Sequence, residues 1–194
     1  MRLVLATGNR DKVSELSQLL SGVKIGRAPD GFDPDETGDT LYQNALIKAE
    51  ALRAMPEGRD GLILADDSGL FVHALGGRPG VYSARYAGPT ATYADNCNLL
   101  LEELTGTRDR RAVFACTLVA LAPDGRRFVG VGVCPGEITG NPRGDGGFGY
   151  DPVFQPSGGS LTMAQMAPDE KHRISHRGRA GRRISNLLRS AGLV

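Results

Sequence analysis

The amino-acid sequence predicts an α/β protein with a mixed sheet and flanking helices, and three observations carry that expectation. Short apolar runs bounded by turn residues, "LVLA" at 3–6 and "LILA" at 62–65, have the length and composition of buried strands. Between them Val13, Leu16 and Leu20 recur at helical spacing. Later, "RRAVFACTLVALAP" (110–123) and "RRFVGVGVCPGEI" (126–138) meet at "DGR", which reads as a hairpin turn. Strands mixed with helices at both ends of the chain are the pattern of a mixed sheet, with the late hairpin available to build a lobe of its own.

In order, a first strand over Leu3–Ala6 leads through "TGNRDK" into a helix, and a second strand lies around Val23 to Ala28. The acidic, turn-rich "PDGFDPDETGD" precedes a long helix over roughly Thr40–Met55, followed by a strand expected to end at Asp66. A third helix is expected over Thr92–Leu104, then the hairpin, then a glycine-rich loop from Gly140 to about Gly159. The last helix carries Ala180, Ile184, Leu187, Leu188 and Ala191 on one side. With 194 residues, 40% of them hydrophobic, the chain can bury one substantial core or two closely joined lobes.

Composition narrows the function. The formal net charge of +1 supplies no global field toward nucleic acid or an acidic membrane. The longest mainly apolar run, "VFACTLVALA", is about half the roughly 20 residues of a membrane span. "MRLVLATGNR" lacks the layout of a signal peptide, so a soluble cytoplasmic protein is expected. Three cysteines, Cys97, Cys116 and Cys134, without a CxxC pair, read as reduced core residues.

The chemistry is read from several places. In "LILADDSGL" (62–70) an apolar strand runs into Asp66 and Asp67, which strand alternation sends to opposite faces. The stretch is either a strand-end turn with an Asx cap or a functional carboxylate at a cleft. The loop "TGNRDK" lies between a strand and a helix N-terminus, with Asn9 as N-cap and Lys12 adding charge. It is an anion site or an ordinary cap. On the long helix Lys48 falls within the inward stripe Leu41, Ala45, Ala49 and Leu52. Its stem either snorkels to water or its ammonium meets an anion, and the anion is the favoured reading. Glu36, just upstream, with Asp67 could hold Mg²⁺, a hard cation suited to one or two carboxylates plus substrate phosphates.

The loop "GDGGFGYDPVF" (144–154) contains a formal GxGxxG but no preceding apolar strand, and "DP" stops a following helix, so a dinucleotide fold is rejected. It presents Phe148 and Tyr150 with Asp151 for stacking on a base, or caps the core with those rings. From Lys171 to Val194 there is no acidic residue. Most of the seven Lys and Arg charges in this stretch read as a solvated helix face, but "SHRGRA" sets His176 and Arg177 at a helix start behind Ser175, where positive charge opposes the dipole.

Together "TGNRDK", "DETGDTLYQNALIKA", "ADDSGL", "GGRPGVYSARYAG", "GGFGYDPVF" and "DEKHRISHRGRA" resemble, in order and spacing, the inosine triphosphate pyrophosphatases, also called non-canonical purine NTP pyrophosphatases or XTP/dITP diphosphatases. The resemblance spans nearly the whole chain. It implies a single pyrophosphatase domain over 1–194, an elongated mixed sheet with two lobes around a substrate cleft, and a homodimer. It implies Mg²⁺-dependent hydrolysis of ITP, dITP and XTP to the monophosphate and pyrophosphate, with a small-molecule substrate and no stable nucleic-acid or membrane partner. By matching motif, Thr7, Gly8, Asn9, Arg10, Asp11, Lys12 and Lys48 would hold the triphosphate. Glu36 and Asp67 would hold the metal, with Asp67 also the proton acceptor. Ser68 would touch substrate, Phe148, Gly149, Tyr150 and Asp151 would hold the base, and Lys171, His176 and Arg177 would recognise it. The alternatives are a Maf-type pyrophosphatase for another modified nucleotide and a nucleic-acid-binding module using the basic C-terminus.

Overall fold

The computed structural model of the chain describes residues 2–20 and 24–194. Among these are five α-helices and seven strands in a mixed sheet of order β2-β1-β3-β5-β6-β7, with β4 on β3. Here β1 is Leu3–Leu5, β2 Ile25–Arg27, β3 Leu62–Val72, β4 Pro79–Gly80, β5 Arg111–Leu121, β6 Arg127–Ile138 and β7 Phe154–Pro156. The helices are α1 (Arg10–Leu19), α2 (Leu41–Arg53), α3 (Tyr93–Glu103), α4 (Pro168–Ile174) and α5 (His176–Ser190). β1 pairs in parallel with β2 and β3, whereas β3–β4 and β6–β7 are antiparallel. The start of the expected second strand, Val23, lies outside the described residues.

The chain divides into two compact units. The first comprises Met1–Asp67, Cys116–Gly132 and Arg177–Val194, and its strands carry apolar side chains on both faces. Alternation assigns Leu3, Leu5, Leu62, Leu64, Leu118 and Ala120 to one core with Leu16 and Leu20 and with Ala180, Ile184 and Leu188 of α5. Val4, Ile63, Ala65, Val119 and Leu121 join Ala45, Ala49 and Leu52 of α2 in the other. Helix α5 lies so close to β6 that a Cβ on Gly130 would sit 2.8 Å from the Ala180 carbonyl oxygen. Leu187, expected on the buried side of this helix, lies at the rim of the stripe and is 40% exposed.

Helix α2 starts with a capping box, Thr40 accepting from the Gln43 amide and Gln43 returning the bond. Its end is held by Arg53, whose guanidinium donates to the carbonyls of Gly58, Arg59 and Gly61 at 2.7, 3.0 and 3.1 Å and of Leu121 at 2.7 Å.

The second unit comprises Ser68–Ala115 and Val133–His176. Its core joins Leu70 and Val72 of β3, Cys97 and Leu100 of α3, Phe114 of β5, Ile138 of β6, and Tyr150, Phe154 and Met163. The three cysteines are free and buried. The segment expected as a loop from Gly140 to Gly159 contains a short 3-10 turn at Asp151–Val153 and strand β7.

The expected end of a strand at Asp66 is corrected: β3 continues through both aspartates to Val72. Beyond them Leu70 and Phe71 pair with Gly80 and Pro79 of β4, so the ladder resumes. The carboxylates remain in a strand because side-chain cations meet them, as described below.

Arg53→Ala should lower stability by about 2 kcal/mol, since hydrogen bonds from a charged donor contribute roughly 1.5–3 kcal/mol. Urea unfolding followed by circular dichroism reads the shift, and an unchanged midpoint would show that the four carbonyls are served equally well by water.

Candidate functional site

Asp66 and Asp67 are 1% and 5% exposed and continue the two faces of β3. Asp66 follows Leu62 and Leu64, and its Oδ2 lies 3.1 Å from Lys12 Nζ and 3.7 Å from Arg177 Nε. Arg177 also donates from Nη1 to Glu15 Oε2 at 2.5 Å. Burial alone would push the Asp66 carboxyl up, but Lys12, Arg177 and Lys48 hold it well below the usual range. Burial likewise opposes the charge on Arg177, and Asp66 and Glu15 raise it beyond its ordinary value.

Lys12 is placed by the start of α1. Asn9 caps the helix, its Oδ1 accepting from the amides of Asp11 and Lys12 at 2.9 and 3.1 Å, and its own amide donates to Thr7 Oγ1 at 3.2 Å. Gly8 allows the close approach of chain this loop needs, since a Cβ there would lie 2.8 Å from the Phe32 carbonyl oxygen. Arg10 and Asp11 are exposed. The helix dipole favours an anion at this N-terminus, although the Asp11 and Lys12 amides are taken by Asn9 and the Lys12 ammonium by Asp66.

Asp67, following Ile63 and Ala65, meets α2. Lys48 Nζ lies 2.6 Å from Glu36 Oε1 and 3.4 Å from Asp67 Oδ1. Asn44, one helical turn earlier, donates from Nδ2 to Asp67 Oδ2 at 3.3 Å and accepts the Gly38 amide at 2.8 Å. Burial pulls the Lys48 ammonium down, yet Asp67, Asp66 and Glu36 outweigh it and the net shift is upward. For Asp67 burial dominates, with Glu36 and Asp66 adding to it against Lys48 and Lys12, and the carboxyl is raised.

Lys48 thus meets anions, as the favoured reading of its place in the apolar stripe expected. Among the described residues no group of three or more His, Cys, Asp or Glu side chains gathers as a ready-made metal cage. Two carboxylates drawn around an ammonium nevertheless fit a hard cation that takes its remaining ligands from water and phosphate.

The second unit holds a separate group. Asp151 and Lys171, 3% and 5% exposed, pair at 2.6 Å, and the same carboxylate accepts the Phe148 amide at 2.8 Å. A Cβ on Gly147, whose φ is +69°, would lie 2.1 Å from Asp151 Oδ2, so this carboxylate reaches its place only past a glycine. Lys171 Nζ sits 5.1 Å from the centre of the Phe148 ring, within cation–π range. His176 stacks on Phe114 with ring centres 4.5 Å apart at 11°. Ser68 is half-buried on β3.

Of the two readings for the rings of this loop, stacking on a base or capping the core, Tyr150 takes the second: it is 4% exposed and belongs to the core, its hydroxyl donating to the Ser83 carbonyl at 2.9 Å. What it can offer a ligand is main chain. Arg177, expected with Lys171 at the base, is 3% exposed and pairs with Asp66 and Glu15. Residue-type reasoning missed Glu15 and Asn44. Asn44 carried a signal, lying i, i+4 from Lys48 on a buried face. Arg179, Arg182, Arg183 and Arg189 are exposed, as a solvated face requires.

The sequence model of the Ham1 family matches residues 3–187. The chain belongs to the Ham1 family. Its relatives include a dITP/XTP pyrophosphatase of Synechococcus sp. (strain CC9311), 48% identical over 181 residues, which cover 92% of this chain and 85% of the relative. The dITP/XTP pyrophosphatase of Treponema denticola is 42% identical over 98% of this chain and 100% of its own length. Among solved structures, a HAM1 protein from Coxiella burnetii superposes with a TM-score of 0.84 at 38% identity, covering 98% of this chain and 99% of that one. A nucleoside-triphosphatase, dITP/XTP pyrophosphatase from Mycobacterium abscessus gives 0.74 at 40% identity, covering 97% and 99%. The Ham1 fold thus accounts for the mixed sheet and for nearly the full length of the chain.

Lys48→Met tests the electrostatics of the Asp67 group. A carboxyl raised in the fold contributes stability below its unfolded value and loses it as pH rises through the folded value. Removing the ammonium raises Asp67 further, so the variant's deficit should be about 3 kcal/mol at pH 8 and smaller at pH 5. Chemical denaturation at the two pH values measures it, and a deficit independent of pH would mean that the ammonium does not compensate the carboxylates.

Proposed function

We propose that this chain hydrolyses the triphosphates of deaminated purines, ITP, dITP and XTP, to the nucleoside monophosphate and pyrophosphate, removing them from the nucleotide pool. The reading is carried by one observation: a buried carboxylate, Asp67, raised by its surroundings and facing Lys48 and Glu36. Its likeness to the dITP/XTP pyrophosphatases supports the substrate class.

Water attacks the α-phosphorus, the bond to the bridging oxygen breaks, and pyrophosphate leaves. Protein catalysis of such a step is mainly positioning and electrostatic stabilisation. The α1 N-terminus, from Thr7 to Lys12, and Lys48 would bind the phosphates. Asp67 would take the proton of the attacking water. Glu36 and Asp67 would hold Mg²⁺, which when bound would neutralise phosphate charge and acidify the water.

In the second unit Phe148 offers a face for stacking on the base, and Lys171, held by Asp151, offers donors. Hypoxanthine and xanthine carry an acceptor oxygen at position 6, whereas adenine presents a donor there. A site that leaves buried donors facing a donor discriminates by roughly 10⁴-fold or more. His176 and Ser68 would complete the substrate contacts.

No helix of the described residues is long and apolar enough to cross a membrane, and a cytoplasmic location belongs to the reading. So does a homodimer, supported by Val129 and Val131, exposed apolar side chains alternating with Gly130 along β6.

Incubation with Mg²⁺ and dITP, XTP, ATP, GTP or dTTP, with pyrophosphate and orthophosphate assayed separately, tests the proposal. Pyrophosphate from dITP and XTP, little product from the others, and loss of turnover with EDTA are expected. Orthophosphate as first product, or preference for another nucleotide, would overturn it.

A further inference from the structure

The stretch "GGRPGVYSARYAG" (76–88) supplies no group to the chemistry above, yet it is heavily tied to the second unit. We propose that residues 79–88 anchor the loop 148–151, with Ser83 and Asn96 as positioning residues that set the base preference. The inference rests on the proposed role of Phe148, Asp151 and Lys171 at the base.

Ser83 is 8% exposed, and its hydroxyl is used twice. It donates to the Gly80 carbonyl at 2.6 Å and accepts the Leu70 amide of β3 at 2.8 Å. β4 pairs Gly80 with Leu70, and a Cβ on the neighbouring Gly69 would come within 2.4 Å of the Gly80 oxygen. The segment is therefore fixed against β3 with little room to shift. Asn96 of α3, 2% exposed, fixes its far end by accepting the Ala87 amide at 2.8 Å and donating to the Ala84 carbonyl at 3.2 Å.

Held at both ends, the segment points the Ser83 carbonyl at Tyr150, whose hydroxyl donates to it at 2.9 Å. Burial first, then Cys97 and Tyr86, raise the Tyr150 phenol, which stays a donor. Next to Asn96, the Cys97 thiol donates to the Gly149 carbonyl at 3.4 Å. Two consecutive loop residues are thus tied to this frame. Asp151 follows directly and carries the bonds to the Phe148 amide and Lys171 ammonium. A shift of Tyr150 is passed by the chain to the carboxylate that orients both groups, and small misplacements at a binding site are costly.

The test is steady-state kinetics of the full chain with dITP and dATP, together with the thermal midpoint, for Ser83→Ala and Tyr150→Phe. Tyr150→Phe keeps the ring in the core and removes only the hydroxyl, so it serves where Ser83→Ala fails to fold. For both, KM for dITP should rise about tenfold and the preference for dITP over dATP should fall by a similar factor. For Ser83→Ala, kcat should stay within about twofold of wild type, since the segment touches no reacting atom. Variants that melt earlier but keep wild-type KM and preference would overturn the anchor and leave a purely structural role. Wild-type protein that releases no pyrophosphate from dITP would overturn the proposed function, and this inference with it.

Discussion

Two consecutive carboxylates buried in one strand set the constraint on which the first unit depends. An isolated buried charge costs several kcal/mol, and β3 carries two within 5% exposure. Strand alternation separates them, so each must find its cations on its own face. On one face α1 and α5 bring Lys12 and Arg177 to Asp66. On the other α2 brings Lys48 and Asn44 to Asp67. The helices pack against the strand through apolar side chains, but the lysines and the arginine within their stripes let the strand run on through its charges.

The two faces end in different electrostatic states. Asp66 has two close cations and is held low, an anion that organises Lys12 and Arg177. Asp67 has one, Lys48 at 3.4 Å, which it shares with Glu36, and burial wins. Adjacent residues of one type therefore differ in proton affinity because of what faces them. The second unit follows the same rule with one pair, Asp151 and Lys171, brought together past Gly147.

Period and alternation were legible in the sequence. The opposed faces of Asp66 and Asp67, Lys48 within an apolar stripe and Asn9 as a cap all followed from local geometry, and the structure has each. Features that depend on remote partners were not. "DDSG" reads as the end of a strand until Lys12, Lys48 and Arg177 are seen beside it. Glu15 meets Arg177 across 162 positions of chain, and nothing local marks either as the other's partner. Tyr150 looked like a companion of Phe148 because both rings flank glycines, but its hydroxyl has a buried acceptor in Ser83 and its ring goes to the core. The roles proposed at phosphate, metal and base rest on ordered family motifs, which carry more than any single spacing.

The division of labour between the two aspartates is tested most directly by measuring kcat for dITP and urea stability of Asp66→Asn and Asp67→Asn side by side. Asp67→Asn should fold with near-wild-type stability and lose turnover by about 10³-fold or more, as loss of the proposed general base and metal ligand requires. Asp66→Asn should lose about 3 kcal/mol of stability, because Lys12 and Arg177 are left without their shared anion. Wild-type kcat in Asp67→Asn would contradict the account, as would an Asp66→Asn protein that keeps its full stability.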